Sequence, residues 1–256
     1  MSNLKVYAKT IEDEALEQIN TLLSQDAFKD CKVRIMPDVH AGKGCVIGFT
    51  ADLGEKVIPN IVGVDIGCGM LCVSIGHGDI DFEKLDNVIR TYVPSGRNVH
   101  DGRVMRFGEL QDLYCYRELR DTKRIERSIG TLGGGNHFIE VDVAEDGYKY
   151  LVIHTGSRNL GKQVADYYQN LAYELMCGKD DLYERQDKLI EEYKAAGRKS
   201  EIEGAIKELH KNFRATTPKL PKDLCYLEGK YREQYLHDMR ICQKFAYFNR
   251  VMIAQI

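Results

Sequence analysis

The chain has 256 residues, 43% of them apolar, and can therefore bury a core as one large domain or two small ones. Its formal net charge of −3 excludes a basic coat over the whole surface, although a local basic groove for nucleic acid stays compatible with it. The eight cysteines include no CxxC pair, which argues against a zinc ribbon. The sequence has no apolar stretch of signal-peptide or membrane-spanning length, so we expect a cytoplasmic location with reduced thiols.

Apolar spacing predicts the secondary structure in chain order. From the beginning of the chain we predict a helix over 11–23, strands over 33–37, 61–64 and 70–75, and a helix over 82–92. Residues 94–127 are polar and suit a loop followed by a helix. Two strands over 138–143 and 150–154 precede a helix over 164–177. The charged stretch over 178–222 suits a solvated helical hairpin, and a last helix follows over 227–256.

A first candidate site lies in the turn Asp65-Ile-Gly-Cys-Gly69, between two strand-like stretches. Its carboxylate and thiol are close in sequence, and glycines allow the positive φ and close approach that a ligand-binding loop needs. Cysteine binds metals as the thiolate and aspartate supplies a hard oxygen. The same pattern also suits a buried cysteine beside a turn aspartate.

A second candidate is Gly130-Thr-Leu-Gly-Gly-Gly-Asn-His-Phe-Ile-Glu140. Consecutive glycines can expose backbone N–H groups to a phosphate, and Asn136 can donate and accept hydrogen bonds. His137 follows at the start of a predicted strand. A flexible turn with a surface histidine is the alternative.

A third candidate is His154-Thr-Gly-Ser-Arg-Asn-Leu-Gly161, in which His154 ends an apolar strand. Ser157 or Asn159 can cap the following helix, which places Arg158 near a helix N-terminus that suits phosphate. A capping turn with an incidental histidine and arginine is the alternative.

Together these motifs supply a mixed set of hard and soft donors. Such a set suits Mn, Zn, Co or Fe, and the thiolate by itself favours zinc. The proposed ligands are Asp65, Cys68, His137 and His154. A further segment, Asp38-Val-His40, suits a metal or phosphate element or, equally, a structural loop.

These segments resemble, in order, motifs of the RtcB family of RNA-splicing ligases. The matching residues are 37–44, 59–70, 130–140 and 154–158, and the pairs Asp238-Met239 and Asn249-Arg250 also fit the pattern. The resemblance covers essentially the whole chain. It implies a mixed α/β (α+β) fold with a β-sheet core and surrounding helices, as one catalytic domain over 1–256 that carries the charged hairpin 178–222 as an insertion.

The resemblance further implies a GTP- and Mn²⁺-dependent ligase that joins RNA 3′-phosphate or 2′,3′-cyclic phosphate ends to 5′-hydroxyl ends through a guanylated histidine, in tRNA splicing or RNA repair. Cys68 would bridge two Mn²⁺ ions; His137 and His154 would complete one, and Asp65 would join Cys68 on the other. The GTP site would be lined by Asn136, His137, Phe138, Ile139 and Glu140, and RNA or phosphate would be bound by Arg158, His40 and Lys43. The implied partners are RNA, as tRNA halves or cleaved ends, and an archease-like activator; we expect a monomer without a membrane partner.

The sequence departs from the family pattern downstream of His154. It contains neither the His-Gly-Ala-Gly-Arg motif that carries the guanylated histidine, nor the His-Asn-Tyr metal motif, nor the C-terminal GTP-contacting lysine. The chain thus resembles the first two-thirds of a family member, and we predict no covalent GMP adduct on this chain alone. Two other functions stay open, namely a remnant that binds metal and RNA without catalysis and a metal-dependent phosphoesterase.

Overall fold

Short strands and helices alternate along the chain in the computed structural model, which describes residues 3–42 and 46–256. The strands are β1 Asn3–Val6, β2 Lys32–His40, β3 Ile47–Ala51, β4 Lys56–Val57, β5 Gly69–Gly76, β6 Phe138–Val143, β7 Lys149–Thr155 and β8 Leu227–Glu228. The helices are α1 Asp13–Leu23, α2 Pro59–Val62, α3 Phe82–Tyr92, α4 Thr122–Arg127, α5 Arg158–Glu174, α6 Asp180–Ala195, α7 Ile202–Asn212 and α8 Gly229–Gln255. The expected mixed α+β fold is confirmed.

The chain divides into two compact units, of which the first comprises residues 1–61 and 168–228. In this unit β2 lies between β1, which is parallel to it, and β3, which is antiparallel. Ala15, Ile19 and Leu22 of α1 are buried at helical spacing in one cluster with Val33 and Ile35 of β2. Strands β4 and β8 pair antiparallel, and α6 packs against α7 within the charged stretch. One catalytic domain with this stretch as an insertion stays a prediction.

The second unit comprises residues 62–167 and 229–256, and its sheet positions the candidate site. Strand β7 lies between β5 and β6 and is antiparallel to both. Successive side chains of a strand alternate between the two faces of a sheet, so Ile153 and His154 face opposite sides. Ile153 is fully buried in a cluster with Val93 of the loop after α3 and Ile253 of α8. The face with His154 is therefore the one that carries the site.

Several predicted elements are confirmed and others are wrong. Helix α3 and strand β6 have the predicted bounds, and the side chain of Asp81 accepts a hydrogen bond from Lys84 N at 2.9 Å to cap α3. The strand predicted over 61–64 is wrong, because Pro59 starts the short helix α2 there. Helix α5 begins at Arg158, earlier than predicted, and β2 continues to His40. Among the described residues, no helix has the length and apolar character to cross a bilayer.

Candidate metal centre

Three separate segments of the second unit bring the predicted ligands together. Asp65 and Cys68 lie in the turn before β5, where Cys68 N donates to Asp65 O at 3.1 Å. His137 immediately precedes β6, and His154 lies near the end of β7. The turn that carries Cys68 packs against α8 at Gly67. Gly67 has a φ of +80°, and a Cβ at this position would lie 2.9 Å from the Cα of Gln243. Only glycine suits that position.

Each of the four donor atoms lies within hydrogen-bonding distance of at least one of the others. Cys68 Sγ lies 3.2 Å from His154 Nε2 and 3.6 Å from His137 Nε2. His137 Nε2 in turn lies 3.0 Å from Asp65 Oδ2. Donor atoms of Asp65, Cys68 and His137 all lie within 4.8 Å of one another. The fold therefore gathers the four side chains that the sequence singles out, although they are up to 89 positions apart (154 minus 65).

Backbone carbonyls on the far side of each imidazole fix which ring nitrogen faces the centre. His137 Nδ1 lies 2.8 Å from Leu132 O, and His154 Nδ1 lies 3.1 Å from Asn136 O. A carbonyl oxygen only accepts hydrogen bonds, so in the neutral rings Nδ1 carries the hydrogen. Each Nε2 then presents its lone pair to the centre, which is the arrangement of metal-ligating histidines in proteins.

The carboxylate of Asp65 is held in a similar way. Its Oδ1 accepts a hydrogen bond from Ser157 N at 3.1 Å, which leaves Oδ2 directed at His137. Burial and, to a smaller extent, the nearby Asp65 carboxylate together raise the pKa of the Cys68 thiol to about 11. A bound cation reverses this effect, since it stabilises the thiolate.

The chemistry of the donor set fits a divalent transition metal. The His137 imidazole nitrogen and the Asp65 carboxylate oxygen direct lone pairs to one small space beside the Cys68 thiol, and the His154 imidazole nitrogen adjoins the same sulfur. Such lone pairs repel one another, and a cation between them converts the repulsion into coordination. Nitrogen, sulfur and oxygen ligands together suit Mn, Zn, Co or Fe.

The glycine loop before His137 has two parts with different surroundings. At its beginning, Gly130 N and Thr131 N donate to the side chain of Asn249, and Leu132 N donates to Pro94 O. Residues 134–136 are exposed. An exposed anion cradle is therefore restricted to this second half of the loop.

Arg158 lies against the glycine loop. Its guanidinium donates to Thr131 Oγ1 at 3.0 Å and to Gly96 O at 2.9 Å, and burial lowers its pKa without removing its charge. The expected helix cap is wrong, since the buried Ser157 Oγ has no hydrogen-bond partner among the described residues and Asn159 lies inside α5. Arg158 itself begins the helix with a φ of +59°.

The remaining predicted residues lie in different surroundings. The ring of Phe138 stands edge-on to His154, at 5.1 Å between ring centroids, and Glu140 is exposed on the same face of β6. Ile139 packs against the buried cluster of the opposite face. His40 ends β2 of the first unit, with Nδ1 2.8 Å from Asp38 O. Lys43 lies outside the described residues.

The residues that hold the ligands in place are not among the candidates that the sequence motifs indicate. Thr155 is fully buried, donates from Oγ1 to Leu132 O at 2.8 Å, and lies 3.3 Å from His137 Nδ1. The motif resemblance includes Asn249 and Arg250 of α8 but gives them no role. The sequence does contain a pattern that indicates their burial. Both residues lie on the buried stripe of α8, whose other members are apolar except for Asp238.

Comparison with protein families agrees with the motifs. The family model described as tRNA-splicing ligase RtcB matches residues 22–115 and 109–256, which include all four candidate ligands. The chain therefore belongs to the RtcB family. The resemblance seen in the motifs is thereby confirmed.

Individual relatives match with moderate identity. The RNA-splicing ligase RtcB of Escherichia coli strain K12 is 34% identical over 199 residues, which cover 68% of this chain and 48% of that protein. The tRNA-splicing ligase RtcB of Aeropyrum pernix is 30% identical over 224 residues, covering 64% and 46%, respectively. The tRNA-splicing ligase RtcB of Archaeoglobus fulgidus is 29% identical over 207 residues, covering 60% and 43%. The chain spans about half the length of the curated relatives it matches.

Proposed function

We propose that this chain forms the metal- and phosphate-binding part of an RNA ligase that uses GTP and Mn²⁺ to join RNA 3′-phosphate or 2′,3′-cyclic phosphate ends to 5′-hydroxyl ends. The observation that carries the proposal is the convergence of oxygen, sulfur and nitrogen donors on one small space. The donors belong to Asp65, Cys68, His137 and His154. RtcB family membership supplies the reaction class, and RNA is the proposed substrate.

In this proposal Cys68 is shared between two Mn²⁺ ions. Its Sγ lies 3.2 Å from His154 Nε2 and also belongs, with Asp65 and His137, to a group of donor atoms within 4.8 Å of one another, which supports Cys68 as the ligand common to both ions. Asp65 would join Cys68 on the second ion. When bound, the ions would offset the negative charge of the phosphoryl groups. The residues of the chain orient the ligands, through the carbonyls behind both rings and through Ser157 N behind the carboxylate.

Phosphate binding is assigned to the glycine loop and the arginines beside it. A cavity of about 300 Å³ is lined by the positively charged side chains of Arg97, Arg124 and Arg158. Phosphate groups favour such guanidinium clusters, because each guanidinium offers paired N–H donors. Residues 136–140 are proposed to contact GTP, and His40 and Lys43 to contact RNA.

Metal titration of this 256-residue chain tests the centre directly. We expect Mn²⁺ to bind by calorimetry and Co²⁺ to give the near-ultraviolet absorption of a thiolate ligand. Cys68→Ala should abolish both signals, because the proposed bridging ligand is removed. Cys72→Ala is the matched control, since Cys72 is exposed on β5, the strand that follows Cys68, and lies opposite Val152 rather than beside a ligand. Unchanged Mn²⁺ affinity in Cys68→Ala would contradict the assignment.

RNA binding tests the phosphate assignment. An oligonucleotide with a 3′-phosphate should bind more tightly than the same oligonucleotide with a 3′-hydroxyl. Arg158→Gln should weaken the 3′-phosphate complex about tenfold or more, since it removes a charged donor. Arg90→Gln is the control, because Arg90 is exposed on α3 and pairs only with Asp86 in the contacts described. Equal affinity of the two RNAs would contradict this part of the proposal.

A further inference from the structure

Helix α8 presents two adjacent polar side chains to the loops of the candidate metal centre. Asn249 is fully buried and Arg250 is 9% exposed. Both continue the stripe of buried residues that includes Ile241, Phe245 and Ile253. A buried polar side chain is costly unless it is hydrogen-bonded, so these contacts show what the two residues stabilise.

The amide of Asn249 joins the loop before His137 to the loop after His154. Its Oδ1 accepts hydrogen bonds from Gly130 N at 2.8 Å and from Thr131 N at 3.0 Å. Its Nδ2 donates to Thr131 O and to Gly156 O, both at 3.1 Å. One side chain thus satisfies backbone groups of two segments. These groups lie outside the paired residues of β6 and β7, so strand pairing does not hold them.

The guanidinium of Arg250 joins the turn with Cys68 to the end of β7. Its Nη1 donates to Gly67 O at 3.0 Å and to Thr155 O at 2.7 Å. The guanidinium also lies against Gly69, where a Cβ would stand 3.8 Å from Nη1. Through Gly67 and Thr155, Arg250 therefore fixes the distance between the neighbours of Cys68 and of His154.

We propose that Asn249 and Arg250 are positioning residues, which set the relative places of the turn with Cys68, the loop before His137 and the end of β7 with His154. This inference rests on the proposed metal-binding function. The distances among these donors depend on loops, and loops keep a geometry only where their backbone groups are held. Asn249 holds Thr131 through its backbone N–H and carbonyl groups, and the next residue, Leu132, supplies the carbonyl that orients His137. Without Asn249, the backbone that positions this carbonyl loses those hydrogen bonds.

Metal affinity and the Co²⁺ spectrum test this role in the whole chain. Asn249→Ala and Arg250→Met should each weaken Co²⁺ binding about tenfold to a hundredfold, which is the usual effect of removing groups that orient metal ligands. Both should also shift the visible absorption bands of Co²⁺, because these depend on the ligand geometry. Arg250→Lys keeps the cation and part of the hydrogen bonding, so it should recover part of the affinity that Arg250→Met loses.

A control variant separates positioning from stability. Phe245→Leu disturbs the same helix at a buried ring that stands edge-on to Phe107 and makes none of the hydrogen bonds to the ligand segments described above. It should lower the thermal midpoint of unfolding while the Co²⁺ affinity and spectrum stay as in the wild type. If Asn249→Ala and Arg250→Met behave like Phe245→Leu, the two residues are structural only and the inference is overturned.

If the wild-type chain binds neither Co²⁺ nor Mn²⁺, the proposed function is contradicted. A second measurement then still tests the positioning role, because it needs no metal. Nitrogen-15 NMR at a pH where the histidines are neutral reports which ring nitrogen carries the hydrogen. In the wild type, His137 and His154 should show hydrogen on Nδ1. Asn249→Ala should give mixed tautomers of His137, and Arg250→Met mixed tautomers of His154. Wild-type tautomers in both variants would refute the positioning role.

Discussion

Gly156 and Asp65 approach each other so closely that only glycine fits at position 156. A Cβ there would lie 2.2 Å from Asp65 Oδ1 and 2.5 Å from Oδ2. The next residue, Ser157, donates its backbone N–H to Oδ1 at 3.1 Å. The backbone of Gly156 and Ser157 therefore contacts the Asp65 carboxylate and fixes its orientation.

Gly156→Ala should displace this carboxylate. We expect Co²⁺ affinity to fall about tenfold and the free energy of unfolding to fall by about 1–3 kcal/mol, because the added methyl group forces Asp65 away from Ser157 and His137. A Co²⁺ titration and a denaturant titration measure the two effects. Gly134→Ala is the matched control, since a Cβ there would lie 3.9 Å from its nearest neighbour, Gly96 Cα. Equal Co²⁺ affinities of the two variants would refute the prediction.

Gly133→Ala should dislodge Arg158. Gly133 has a φ of +85°, and a Cβ there would lie 1.7 Å from Arg158 Nη1. We expect a loss of about 2–4 kcal/mol in the free energy of unfolding, from the left-handed backbone conformation and from the broken hydrogen bonds to Thr131 and Gly96. Guanidinium chloride unfolding followed by circular dichroism measures it. Gly102→Ala, where nothing lies within 4 Å, should change the free energy by less than about 0.5 kcal/mol.

The hydroxyl of Thr155 should matter more than its methyl group. Thr155→Val keeps the shape of the side chain and removes the donor to Leu132 O, so we expect a loss of about 1–3 kcal/mol in stability and weaker Co²⁺ binding. Thr155→Ser keeps the hydroxyl and loses one methyl group, about 1 kcal/mol of burial. Calorimetric Co²⁺ titration should therefore rank the serine variant above the valine variant, and the reverse order would show that packing alone holds His137.

Asp238→Asn should destabilise the second unit. The fully buried carboxylate of Asp238 accepts hydrogen bonds from Tyr114 N at 3.0 Å and from Cys115 N at 3.1 Å, one on each oxygen. An amide places its own N–H group against one of these donors, and we expect a loss of about 2–4 kcal/mol.

Thermal and denaturant unfolding measure this loss against a surface control. Asp86→Asn removes only the exposed pair with Arg90 on α3, which contributes about 0.5 kcal/mol or less. A loss in Asp238→Asn no larger than in Asp86→Asn would mean that the buried carboxylate does not hold the loop of residues 114 and 115.

Elements with local signals can be predicted from the amino-acid sequence alone. Helix α3 follows from its apolar spacing, and the structure adds that Asp81 caps its first turn. Strand β6 follows from a β-rich run bounded by turns. The identity of the candidate ligands is also local information, because each is a donor residue beside glycines at the end of an element. Local rules failed at α2, where Val62 is part of a helix that Pro59 begins.

How these residues come together depends on long-range packing, which the sequence pattern does not show. The register of β5, β7 and β6 places Met70, His154 and Phe138 in one row, and this register is set by packing of the opposite face rather than by periodicity. The tautomers of His137 and His154 depend on carbonyl groups, which every residue possesses and which no sequence pattern marks. Asn249 reaches Thr131 across 118 positions of the chain. Hydrophobic spacing shows which side of α8 is buried, but the three-dimensional fold alone decides which backbone groups lie there to be bound.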